Sequence, residues 1–180
     1  MKFKEIVKPA LILFVICLLT AAALAGTNFL TKDRIRQKEI ENAQKAQKLV
    51  LPASVTFEEK NSYVEGKDSN GETVGYVFTT SSKGYGGEIS VMTGVSADGK
   101  ITGVTILSHS ETPGLGANAA KDEFANQYIG KAAENGVSVT KSAPKEGEVV
   151  AVTSATISSK AVTSAVNEAL ETYQKIKGGV

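Results

Sequence analysis

Residues 149–173 read VVAVTSATISSKAVTSAVNEALETY. A short apolar run of β character passes through Thr153-Ser154-Ala155-Thr156 into a pattern of period 3.6, with Val162, Ala165, Val166, Ala169, Leu170 and Tyr173 on one stripe. A strand therefore hands over to a helix inside a run of hydroxyl residues. The first N–H groups of a helix lack intrahelical acceptors and carry the positive end of the macrodipole, so Thr156, Ser158 and Ser159 stand where a phosphate would be favoured. Ser and Thr are also the preferred N-caps, and spacing alone leaves both roles open.

Upstream, the pattern is that of strands. Glu72–Thr80 is aromatic and β-branched, Glu88–Val95 and Ile101–Leu107 alternate, and Asp98-Gly99 supplies a tight turn between the last two. Residues 58–70 are charged and turn-rich, and Asn70-Gly71 is a hairpin signal. These runs predict an antiparallel meander. Gly84-Tyr85-Gly86-Gly87 is not a dinucleotide fingerprint, because no helix follows it, and no Walker A motif occurs.

Residues 108–117 form a loop with Pro113, Gly114 and Gly116, in which backbone groups could approach a flat ligand or simply turn. Ala117–Ile129 reads as a helix with Ala120, Phe124 and Tyr128 on one face. Val137–Thr140 is a short strand, and Glu148–Val152 leads back into the opening stretch. The fold class expected is α+β: an antiparallel sheet with packed helices, preceded by a single transmembrane helix.

That helix is read from the N-terminus. Lys2, Lys4 and Lys8 precede an uncharged run from Pro9 to Leu30, which at about 1.5 Å per residue spans a bilayer core. Ala23-Leu24-Ala25 before Gly26 has the small-x-small look of a signal-peptidase site, but the run is longer than a usual signal-peptide core, so a retained anchor is expected. The division expected is 1–31 as cytoplasmic tip and transmembrane helix, 32–51 as helical stalk, and 52–180 as an extracytoplasmic domain beginning near Pro52.

A net charge of +1 gives no broad field towards nucleic acid. Cys17 lies in the apolar run and His109 is the only histidine, so a thiolate or imidazole metal site is not expected. His109 reads as a strand-end residue with a structural hydrogen bond rather than a site residue. No Ser/His/Asp or Cys/His arrangement is available, so no catalytic residue is expected in this chain.

Gly84-Tyr85-Gly86-Gly87, Val95 with Asp98-Gly99-Lys100-Ile101, Glu111-Thr112-Pro113-Gly114-Leu115-Gly116, and Thr153–Ser159 with Lys160-Ala161-Val162 follow one another in an order that resembles the FMN-binding domain family shared by the RnfG and NqrC subunits of ion-pumping respiratory complexes. The N-terminal anchor extends the likeness over nearly the whole chain, and the RnfG branch is the nearer. The family's pattern is Asp-x-x-Ser/Thr-Gly-Ala-Thr; this chain keeps Ala155 and Thr156 but has Val150 and Ser154 where the pattern has Asp and Gly.

The resemblance implies FMN joined through its phosphate to Thr156 by a flavin transferase, with Thr153, Ser154, Ala155, Ser158 and Ser159 around the phosphodiester. It implies Glu111 and Thr112 at the polar edge of the flavin ring, Leu115 over its face, and Gly114 and Gly116 allowing close approach. It further implies an electron-transfer subunit among other membrane subunits of an Rnf-type complex that couples ferredoxin/NAD electron transfer to Na⁺ or H⁺ translocation. The alternatives are an exported flavoprotein domain of another membrane reductase and a binding module without flavin.

Overall fold

The structure is a computed structural model and describes residues 3–178. The chain divides into two compact units, Met1–Glu41 and Asn42–Val180. Helix α1 (Phe3–Val50) supplies all the described residues of the first. Its apolar side chains there are bare, with Phe14 65%, Leu24 72% and Leu30 77% exposed, as expected of a surface that meets lipid rather than protein. It is long and apolar enough to cross a membrane.

The second unit is built on a five-stranded antiparallel meander, β1 (Thr56–Glu59), β2 (Val64–Lys67), β3 (Thr73–Lys83), β4 (Glu88–Ser96) and β5 (Ile101–Ser108), paired in chain order. β3, β4 and β5 fall on the runs expected of them, and β2 and β3 join through the Asn70-Gly71 turn, where Gly71 takes φ +82°. The β1–β2 hairpin largely overlaps the stretch that reads as charged and turn-rich. β1 is mostly exposed and β2, half-buried, reads Val-Glu-Gly-Lys, so no apolar alternation marked the pair.

Alternation along β4 sends its side chains to two faces. Ile89, Val91 and Val95 join the main core under α3 (Thr156–Gly178), whose stripe Val162, Ala165, Val166, Ala169, Leu170 and Tyr173 is buried. Thr80 Oγ1 also donates to the Ala165 carbonyl oxygen at 2.8 Å. Met92 and Val77 join a second, smaller core with Ala46, Val50 and Leu51 from the end of α1.

The last turns of α1 thus pack with the sheet ahead of Pro52. The folded unit begins at Asn42, and Val50 and Leu51 are completely buried in it. The cause is a trough of missing side chains. A Cβ on Gly94 would lie 2.2 Å from the Val50 carbonyl oxygen, and one on Gly103 would lie 2.7 Å from Val50 Cα, so backbone rests on backbone. Thr102 Oγ1 donates to the same carbonyl at 2.5 Å, serving an acceptor that the helix end leaves without a partner.

One expectation is corrected. The helix expected over 117–129 is a 3-10 turn at Gly116–Ala120, a single helical turn α2 (Asp122–Ala125) and a second 3-10 turn at Asn126–Tyr128, because Lys121 is extended. Phe124 and Tyr128 still share a buried face, with ring centroids 5.5 Å apart, while Ala120 is exposed. The short strands read near 137–140 and 148–152 are β6 (Ser138–Thr140) and β7 (Glu148–Val150), which form a separate parallel pair.

Candidate functional site

The junction between β7 and α3 is a tight loop. Ser154 has φ +62°, the one non-glycine residue in the left-handed region among the described residues, and it stands where the family pattern carries glycine. That conformation costs a residue with a Cβ about 1 kcal/mol, and glycine nothing comparable. Ala155 next to it is buried, and α3 starts at Thr156.

The hydroxyl run divides into two groups. Ser159 is fully buried; its Oγ donates to the Ala155 carbonyl at 2.9 Å and accepts the Val152 N–H at 3.0 Å, closing the loop. Thr163 donates to the Ser159 carbonyl and receives the Tyr128 hydroxyl at 2.6 Å. Ser158 donates to Glu111 Oε2 at 2.5 Å. By contrast, among the described residues no hydrogen bond engages the side chains of Thr153, Ser154 or Thr156.

Glu111 is a buried carboxylate that ties three segments together. Oε2 takes the Ser158 hydroxyl, while Oε1 takes the Gly86 N–H at 2.8 Å, with the Tyr85 N–H beside it. Burial pushes its pKa up, but the Ser158 hydroxyl and the two N–H groups outweigh that and hold the carboxyl below the usual glutamate value. His109 Nδ1 accepts the Glu111 N–H at 3.2 Å, which is a structural bond of the kind expected for it.

These elements enclose a cavity of about 430 Å³ lined by Tyr85, Glu111, Thr112, Leu115, Gly116 and the whole stretch Ser154–Ser158. Thr153 and Gly114 face a neighbouring cavity of about 520 Å³, with Leu115 and Ser154 as the ridge between the two. Gly116 does not leave room for a ligand. A Cβ there would lie 2.2 Å from Glu111 Oε2 and 2.5 Å from Ser158 Oγ, so the space is filled by the protein's own clamp. Gly114 is open and takes φ +79° in the turn. Tyr85, 76% exposed, and Ile157 complete the cavity rim, and sequence reasoning passed over both. The available signal for Tyr85 was an aromatic residue held between glycines on a turn, which has no packing reason to be exposed.

An open cavity with a mostly apolar lining, an uncommitted hydroxyl at the first position of a long helix, and a rigid carboxylate clamp behind it suit a flat aromatic ligand with a phosphate tail. The chain is an FMN-binding-domain protein: residues 84–171 match the family described as FMN-binding domain. Residues 1–50 match the RnfG N-terminal region.

The G subunit of the Na⁺-translocating ferredoxin:NAD⁺ oxidoreductase complex of Acetobacterium woodii is 41% identical over 97% of this chain and 94% of its own length. The corresponding G subunit of the proton-translocating complex of Clostridium ljungdahlii is 34% identical, covering 93% of this chain and 91% of its own length. The chain belongs to this RnfG family. Among solved structures, the C subunit of the Na⁺-translocating NADH-quinone reductase from Parabacteroides distasonis superposes with a TM-score of 0.54 at 27% identity, over 63% of this chain and 60% of that one. NqrC of Shewanella oneidensis shares the fold, with a TM-score of 0.55 at 21% identity over 67% of each chain.

Proposed function

We propose that this chain carries FMN esterified through its phosphate to Thr156 Oγ1 by a flavin transferase, and passes electrons within an Rnf-type membrane complex that couples ferredoxin/NAD electron transfer to Na⁺ or H⁺ translocation. One observation carries the covalent reading: among the hydroxyls at the start of α3, those of Ser158 and Ser159 are spent inside the protein while that of Thr156 lines the cavity without a partner.

The residues fit the group. The first N–H groups of α3 favour a negative phosphodiester, and Ser154 and the nearby Thr153 offer further hydroxyl donors. Thr112 would meet the polar edge of the ring, and Leu115 and Tyr85 would cover its faces and limit water. Ser158, Ser159 and Glu111 then hold the loop rather than the ligand. FMN, when bound, supplies the exchange of electrons. A covalent tether suits a domain outside the cytoplasm, where a dissociating cofactor would be diluted away. In this reading α1 is a retained single-pass anchor with its N-terminus in the cytoplasm, and the domain is extracytoplasmic. The uncharged run Pro9–Leu30 offers no group for an ion path, so translocation belongs to other subunits.

Mass spectrometry of native membranes tests the assignment. The peptide containing Thr156 should carry the mass of FMN less water, and Thr156→Ala should lose both that mass and in-gel flavin fluorescence. Its hydroxyl has no partner, so stability should change by less than about 0.5 kcal/mol. A bare Thr156 in the assembled complex would defeat the assignment.

A further inference from the structure

The β6–β7 pair has two outer edges, and they are treated differently. Ser138 N–H donates to the Gly147 carbonyl at 2.9 Å and Ala151 N–H to the Thr140 carbonyl at 2.8 Å, so Ser138 and Thr140 turn their backbone groups towards β7. Alternation then turns those of Val137 and Val139 to the far edge. At Val137 the edge is closed by the carboxamide of Asn167, which takes the N–H at 2.8 Å and donates to the carbonyl at 2.9 Å. On the far edge of β7, Gln127 closes Val150 in the same way, at 2.7 and 3.3 Å. Side-chain amides thus imitate a neighbouring strand on both sides, a known way of blunting edges.

Val139 has no such imitation. Among the described residues no strand or side chain pairs with its outward N–H and C=O. Beside it lies a groove of about 660 Å³ between β6 and α3, whose α3 wall carries Lys160, Ser164, Glu168 and Glu171. No ion pair among the described residues involves Lys160, Glu168 or Glu171. The groove therefore offers a backbone donor, a backbone acceptor, and unneutralised charge of one sign at Lys160 and the other at Glu168 and Glu171.

We propose that this groove receives an extended peptide segment from another subunit of the membrane complex. The segment adds to β6 through the Val139 N–H and C=O, with a basic side chain over Glu168 and Glu171 and an acidic one over Lys160. The identity of the partner rests on the reading of the chain as a complex subunit. Only an extended backbone has an N–H and a C=O to return to a strand edge, since a helix spends its own internally. Asn167 fixes where the added strand stops. One such ladder step is weak alone, but subunits held in one membrane meet at high effective concentration, where a weak contact fixes orientation.

The test is photo-crosslinking in the intact complex from benzoylphenylalanine placed at Ser164, an exposed groove position. The expected product joins this chain to one mapped peptide of another subunit. Val139→Pro removes the outward N–H without touching the ladder to β7 and should abolish most of that product. Where that variant is poorly folded, the exposed pair Glu168→Lys with Glu171→Lys decides, and it should also lose the product. No cross-link, a cross-link to lipid or to a second copy of this chain, or a product undiminished in the folded variants overturns the proposal. In-gel flavin fluorescence reports separately: a colourless subunit that still cross-links removes the flavin assignment and leaves the docking groove standing.

Discussion

On one face of the five-stranded sheet, α3 lays Val162, Val166 and Leu170 over Ile89, Val91 and Val95. On the other, the backbone of Val50 rests on Gly94 and Gly103, and the side chain of Leu51 lies over Gly66 and Gly75. The first face is a layer of side chains, where shape can be redistributed among several residues. The second is, at Val50, a main-chain contact with nothing to redistribute. Elements that meet through side chains tolerate volume-conserving change, whereas elements that meet through backbone tolerate no added atom. The sparse second core is thus the more exacting of the two.

That difference gives the largest expected effects. Gly94→Ala adds one carbon at 2.2 Å from the Val50 carbonyl and should lower stability by about 3 kcal/mol or more, read from denaturant unfolding of the full chain in detergent. On the opposite face it takes the removal of three carbons, in Leu170→Ala, to lose about 3 kcal/mol. Should Gly94→Ala unfold like the parent, Val50 is not seated on the sheet and the contrast fails.

A smaller effect sharpens the α3 side. Glu111→Gln keeps the shape but loses the charge that receives Ser158, Gly86 and Tyr85, and should cost about 1–3 kcal/mol at neutral pH. Its folded pKa is depressed, so its contribution is complete above the unfolded value of about 4.3 and disappears as the pH falls through the lower folded value. The acid limb of stability against pH should therefore be shallower in Glu111→Gln; an identical limb would show that this carboxylate does not set it. The smallest effect concerns the loop that starts α3. Ser154→Gly should relieve the left-handed strain and raise stability by about 0.5–1 kcal/mol, less the entropy glycine adds to the unfolded chain. A loss on that substitution would mean that the Ser154 side chain has a role beyond its backbone.

Much of the α3 face was legible in the order of residues. The stripe from Val162 to Tyr173 has helical period, β3 to β5 alternate, and each lies where its pattern places it. The α1 face was not, because Gly94 and Gly103 sit on different strands and are meaningful only when both meet Val50. Residues 117–129 kept their buried Phe124 and Tyr128 while losing helical backbone, since Gln127 must reach Val150 and Tyr128 must reach Thr163. At the site, the run Thr153–Ser159 was visible as a cluster of hydroxyls, but not the division of labour within it. Partners such as Glu111 and Val152 decide that division, and Glu111 lies far away in the chain.

By itself, the sequence determined the apolar helix, the meander, the helix that follows the threonine loop and the family to which the chain belongs, because periodicity and short motifs are local properties of order. Only the tertiary structure decided that the folded unit starts at Asn42, that Ser158 is bonded to the distant Glu111, and that Val139 is left open beside a charged groove. Those facts depend on which backbone and side-chain groups meet across the fold, and such meetings leave no period in the chain.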